Sequence, residues 1–143
     1  MGPAAHRPIE TPAATVWVEA DGFHRVRLKA VGQLTLAHAQ AMHTARVALG
    51  ARGRGRLVLV DIAQRSTPTR EAGEFTRRPE VQALTQAMAL VTSSVLTQHL
   101  GNAFLLVMRP QYPTRIFRDE AAALRWLATW DRLCAPQDAG WQK

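Results

Sequence analysis

The alternation of apolar and polar positions along the chain predicts strands and helices in turn. Residues 15–19 (Thr-Val-Trp-Val-Glu) are rich in β-branched and aromatic side chains and predict a strand. Asp21-Gly22 supplies a tight-turn signal, and residues 24–29 then alternate polar and apolar as a half-buried strand does. Together they predict an antiparallel hairpin whose second strand turns Arg25, Arg27 and Lys29 to one solvated face. Residues 34–49 predict a helix with Leu34, Ala37, Ala41, Ala45 and Ala48 along one side, stopped by Gly50. Small side chains there would let the helix lie close to a sheet.

The next apolar segment, Leu57-Val58-Leu59-Val60-Asp61-Ile62, shows no alternation and predicts a central strand covered on both faces. Residues 66–70 predict a polar loop around Pro68, and Thr69 can cap a helix over 69–77. Pro79 suits the first turn of a further helix reaching Ala87, and residues 88–92 predict a third core strand. Residues 95–108 favour a helix capped by Ser94 and stopped before Pro110, although Phe104 to Met108 alone also suit a strand. Thr114 to Phe117 predict a short strand. Asp119 then caps a helix carrying Ala123, Trp126, Leu127 and Trp130 at i, i+3, i+4 and i+7.

The order ββαβααβαβα defines an α/β class: a mixed β-sheet with an N-terminal antiparallel hairpin and helices packed on it. Residues 1–13 are expected to form a flexible arm, 14–134 a single domain, and 135–143 a flexible tail.

Composition narrows the class of function. The chain has 143 residues, 47% of them hydrophobic, which suffices for one buried core. The longest unbroken apolar run, 104–108, is far short of the about 20 residues a spanning helix needs. The N-terminus has no apolar stretch of the secretory kind. With Cys134 as the single cysteine, no intrachain disulfide forms, and a cytoplasmic location is expected. The net charge of +7 comes from 16 Arg and two Lys, a field that favours anionic partners. The arginines are spread along the chain without interleaved aromatics, which argues against a nucleic-acid surface. Arg52, Arg54 and Arg56 form the one dense group, in a Gly-rich loop that could hold an anion on its amides.

No constellation announces a catalyst, a cofactor or a metal. His38 and His43 lie about 140° apart around a helix and share no face. Glu71 and Glu74 share a helix face and could do acid–base work, but acidic residues in a first turn commonly complement the helix dipole. Ser66, Thr67 and Thr69 stand beyond the C-terminal end of the central strand, where α/β folds place their sites. A phosphate there would change the local charge next to Arg70, Glu71 and Glu74. Leu96, Leu100, Phe104 and Met108, with Trp126 and Trp130, supply either solid core or the wall of an apolar cavity. An exposed Trp126–Trp130 face would instead make a homodimer contact.

The run Pro113-Thr-Arg-Ile-Phe-Arg-Asp119-Glu-Ala-Ala-Ala-Leu-Arg-Trp126-Leu127 resembles the C-terminal pattern of small bacterial STAS-like, or STAS/SEC14-like, proteins related to anti-sigma-factor antagonists. Leu57-Val-Leu-Val-Asp61, Thr69-Arg-Glu-Ala72, and Leu90-Val-Thr-Ser-Ser94 followed by Leu100-Gly-Asn-Ala-Phe104 are similar as well, so the likeness spans about residues 15 to 130. It implies a SpoIIAA-like mixed sheet and a non-enzymatic regulatory or signalling module that binds another cytoplasmic protein. It implies a phosphoacceptor hydroxyl at a helix start, for which Ser66 and Thr67 stand in, although the usual Asp-Ser-Ser-Gly motif is missing. Its SEC14-like side implies instead a lipid or other small apolar ligand.

Overall fold

The computed structural model describes residues 7–62, 66–92, 105 and 109–141, giving only the course of the backbone over 132–141. In chain order the elements are β1 (Ile9–Glu10), β2 (Ala14–Val18), β3 (His24–Leu28), β4 (Gly32–Leu34), α1 (Leu36–Leu49), a 3₁₀ turn (Gly53–Arg56), β5 (Leu57–Asp61), β6 (Ser66–Pro68), α2 (Arg70–Thr76), α3 (Pro79–Gln82), β7 (Ala87–Val91), β8 (Thr114–Phe117) and α4 (Glu120–Trp141). The main sheet has the order β1-β2-β3-β5-β7-β8. β1, β2 and β3 pair antiparallel, and β3, β5, β7 and β8 run parallel. β4 and β6 form a separate parallel pair.

The unalternating run 57–61 does become the central strand. Side chains on a strand point to opposite faces in turn, so β5 feeds two cores. Val58 and Val60 join Val26, Leu28 and Leu90 beneath Ala45 of α1. Leu57 and Leu59 join Ala87 and Ala89 beneath Ala123 and Leu127 of α4. The domain is therefore three-layered, with helices on both faces of the sheet. Asp119 caps α4 as its sequence predicts, its carboxylate accepting from the amides of Ala121 and Ala122 at 3.3 and 3.1 Å. Gly50 ends α1 in the left-handed region, at φ +86°.

Several expectations change. Ile9 and Glu10 belong to the sheet, paired with Val16 and Thr15, rather than to a free arm. The Lys29 ammonium pins them by donating to the Thr11 carbonyl at 2.8 Å and pairing with Glu10 at 2.9 Å. Ala13, also assigned to the arm, is fully buried. At the other end α4 continues to Trp141, where a flexible tail was expected from residue 135. The missing N–H of Pro136 removes one rung of that helix without ending it.

Arg25 does not share the solvated face of Arg27 and Lys29. Its side chain is 7% exposed and grips Asp21 with two hydrogen bonds of 2.9 Å, folding back over the hairpin turn. Helix α1 starts two residues late, because Leu34 ends β4 and Thr35 is the N-cap. Its buried face is also rotated: Ala37 and Ala48 are exposed, whereas Ala39, Ala45 and the charged Arg46 are buried. A pattern of apolar residues cannot anticipate a buried arginine. The predicted loop 66–70 contributes a strand, since Ser66–Pro68 pair with Gly32–Leu34. α3 ends at Gln82 instead of reaching Ala87, because the backbone beyond it bonds elsewhere. Leu84 O accepts from Arg46 at 2.7 Å and the Gln86 amide donates to Arg56 O at 2.7 Å.

Desolvation raises the Asp21 carboxyl, but the Arg25 hydrogen bonds and the Phe23 amide outweigh it and hold it below the usual carboxylate value. Asp21 thus stays ionised in the folded chain to a lower pH than in the unfolded one. Its contribution is complete above about pH 4 and is lost as pH falls through the lower, folded value. Urea denaturation across pH should show a steep acid limb, and Asp21→Asn should lower stability at neutral pH and flatten that limb.

Candidate functional site

The two edges of the parallel strands carry different chemistry. At the C-terminal edge, the chain leaving β5 returns as β6 and enters α2. Thr69 is the N-cap, its hydroxyl accepting from the Ala72 amide at 3.2 Å. The Ser66 hydroxyl is half-buried, donates to Lys29 O at 2.7 Å and accepts from the Val31 amide at 3.4 Å. Thr67 is exposed between them. On α2, Ala72 and Phe75 are buried against Ala39 of α1, which turns Arg70, Glu71 and Glu74 outward. Arg70 donates to Glu74 at 3.2 Å along the exposed face, so that carboxylate is already engaged by a cation. Of the six residues singled out here, five hold structural bonds or lie in the outer face of one helix, and Thr67 presents a hydroxyl to solvent.

At the N-terminal edge the sequence pointed to the Arg52–Arg56 loop before β5 and not to Arg46. There Arg46 of α1 reaches under the sheet. Its Nε donates to His24 Nδ1 at 3.1 Å. One terminal nitrogen donates to Thr85 Oγ1 at 2.6 Å, the other to Gly55 O at 2.9 Å and Leu84 O at 2.7 Å. All four acceptors are neutral, and no carboxylate among the described residues pairs with this buried cation. Burial, with a smaller push from Arg56, lowers its pKa to about 10 against the opposing pull of Tyr112. Arg46 is therefore charged at neutral pH. Burial pushes the Tyr112 phenol up, while Arg46 and a hydrogen bond with Thr85 pull it down.

Between α1, α2 and the sheet lies a cavity of about 110 Å³. Val26, Leu28, Val58, Val60, Met42 and Phe75 give it apolar walls, and Arg46, Thr85, Tyr112 and His43 line it with polar atoms. The His43 ring meets Phe75 edge to face at 5.7 Å, and its Nδ1 is buried without a hydrogen-bond partner among the described residues.

The other expected sites resolve differently. Arg54 pairs with Asp131 at 3.2 Å and donates to Asp21 O, and Arg56 donates to Ala83 O at 3.1 Å. Arg52 bonds only through its backbone among the described residues, its amide donating to Gly50 O at 3.0 Å and its carbonyl accepting from the Gly55 amide at 2.9 Å. His38 closes the capping box of α1 with Thr35. No group of three metal-ligating side chains occurs among the described residues. Trp126 and Trp130 are half-buried; Trp126 meets Phe117 at a tilt, 5.6 Å between centroids, and Trp130 edge to face at 6.0 Å, against the α4 core. Leu96, Leu100, Phe104 and Met108, with the helix expected over 95–108, lie outside the described residues. No described helix is long and apolar enough to cross a membrane.

A mixed sheet of this order, covered by helices on both faces, places the protein among the SpoIIAA-like α/β folds. The architecture matches a crystal structure from Shewanella loihica PV-4, an uncharacterized DUF3478-family protein with a SpoIIAA-like fold. The TM-score is 0.54 at 17% identity, covering 83% of this chain and 98% of that one. Comparison with curated proteins finds no match. Over residues 16–131 the sequence matches the domain of unknown function DUF7793, and the chain belongs to that family.

Two outcomes test the Arg46 edge. A Cβ on Gly55 would lie 2.5 Å from Gly50 O and 2.9 Å from His24 Nε2. Gly55→Ala should therefore cost about 1–3 kcal/mol in urea denaturation. Desolvation, then Arg46, lowers the His43 pKa below its ordinary 6.5, with Glu80 opposing. The unfolded chain takes up that proton first, so stability should decline as pH drops below about 6.5. NMR titration should place the His43 ring below that value, and His43→Leu should remove this part of the slope.

Proposed function

We propose that the chain is a non-enzymatic regulatory module that binds a protein partner through α2 and the β6 segment before it. The observation carrying this reading is the exposure of Thr67 beside the outward face of α2. The SpoIIAA-like fold supports it, because the phosphoacceptor that the STAS-like resemblance implies sits at a helix start after a strand. Among the three hydroxyls, the exposure of Thr67 supports it as the acceptor. Ser66 and Thr69 spend theirs on Lys29 and on the α2 cap, whereas Thr67 is exposed. A phosphate on Thr67 would add close to two negative charges beside Glu71 and Glu74 and within reach of Arg70. It would thereby deepen the negative charge of the face a partner reads. The two carboxylates do not converge on a reactive atom, and in this reading they serve recognition.

Quantitative affinity capture from the native host tests this. Wild type should enrich one specific protein, Glu71→Arg with Glu74→Arg should reduce its recovery at least tenfold, and Thr67→Glu should change it in either direction. Equal recovery by wild type and all variants, or turnover of a substrate by the purified protein, would overturn the reading.

A further inference from the structure

The Arg46 cavity is a second feature, at the opposite edge of the sheet from α2's N-terminus, and it is independent of the partner-binding reading. Charged side chains are rarely fully buried unless paired. Arg46 is 8% exposed, and its partners are one imidazole, one hydroxyl and two carbonyls. A guanidinium has five N–H donors, and these bonds occupy four. The fifth is on the nitrogen that also binds Thr85, beside the Tyr112 phenol. The nearby charge of Arg56 makes the local field more positive. Among the described residues, the protein thus holds a desolvated cation in a cavity wall without an anion to balance it.

The rest of the cavity says what the balancing anion would carry. The polar groups Arg46, Thr85 and Tyr112 precede or flank the N-terminal ends of β5, β7 and β8. The walls formed by Val26, Leu28, Val58, Val60 and Met42 run along the sheet face under α1 and are apolar. A volume of about 110 Å³ is below the about 150 Å³ that takes up a benzene ring, so it suits a body of roughly three to four carbons beside the carboxylate. A strongly hydrated phosphate dianion would strand its oxygens against these walls. A monocarboxylate asks less: one oxygen on the free Arg46 N–H, the other on the Tyr112 hydroxyl, with the body among the valines. Charge-assisted hydrogen bonds of this kind are the strong ones in a desolvated site.

We infer that the cavity between α1 and the sheet is a binding site for a small monocarboxylate with a short branched aliphatic body, its carboxylate on Arg46 and Tyr112. The ligand is held without covalent chemistry.

The test is an NMR amide-shift titration of the full chain with isobutyrate and with its neutral counterpart isobutyramide. Isobutyrate at millimolar concentration should shift amides around Ala39, Met42, Arg46 and Val60, and isobutyramide should bind about tenfold more weakly. Ala39→Leu, which fills the cavity, should abolish the isobutyrate shifts. Tyr112→Phe, which keeps the ring and removes one donor, should weaken isobutyrate several-fold and leave isobutyramide nearly unchanged. Well-dispersed spectra verify that each variant is folded, and Tyr112→Phe decides the matter if Ala39→Leu is not. Absence of isobutyrate shifts, equal binding of acid and amide, or isobutyrate shifts that persist in Ala39→Leu would each overturn the proposal.

Discussion

The fold depends on the burial of β5 from both sides. A strand with Val58 and Val60 on one face and Leu57 and Leu59 on the other cannot rest until each face is covered. That requirement places α1 above and α4 below, and it makes parallel neighbours of β3 and β7, since helical crossovers must intervene. It also leaves the two ends of the strand as the places where the chain can do something other than pack. The loop-and-helix start at one end and the guanidinium at the other are the two results.

This division explains what could be seen in the sequence. The hairpin, the central strand, the Thr69 and Asp119 caps and the Ala123–Trp130 face were legible because each is a local signal. A turn dipeptide, an apolar run or a capping residue acts through its immediate neighbours. The pieces that escaped are non-local. β4 and β6 are three-residue strands that exist only because residues 32–34 and 66–68 meet. The β1 pairing leans on Lys29, which is distant in sequence. Arg25 is the local exception: it looked solvated by alternation and is buried because Asp21, four residues earlier, satisfies it.

The Arg46 cluster was hidden by non-locality in stronger form. Its partners, His24, Gly55, Leu84 and Thr85, are scattered over three segments, and two of the four contribute only a backbone carbonyl. Carbonyls carry no residue signature. Open α/β sheets usually keep their sites beyond the C-terminal ends of the strands, which favours Ser66 and Thr67, and at the opposite edge the sequence displays only the Arg52–Arg56 loop. A signal did exist: an arginine in an otherwise Ala-rich helix, followed four residues later by a glycine stop.

The borders of the sheet have a consequence of their own. Among the described residues it ends on one side in β1, two residues long and flanked by the Glu10–Lys29 ion pair, and on the other in β8, four residues long with Arg115 laid over Phe117. An unpaired sheet border is a template on which another chain can lay a strand, and short, charged borders are how natural proteins blunt it. A domain whose central strands are this apolar would be a hazard in crowded solution if those strands reached the margin. Here they are fenced by short, charged margins, so the order of the strands keeps the apolar ones away from the borders of the sheet.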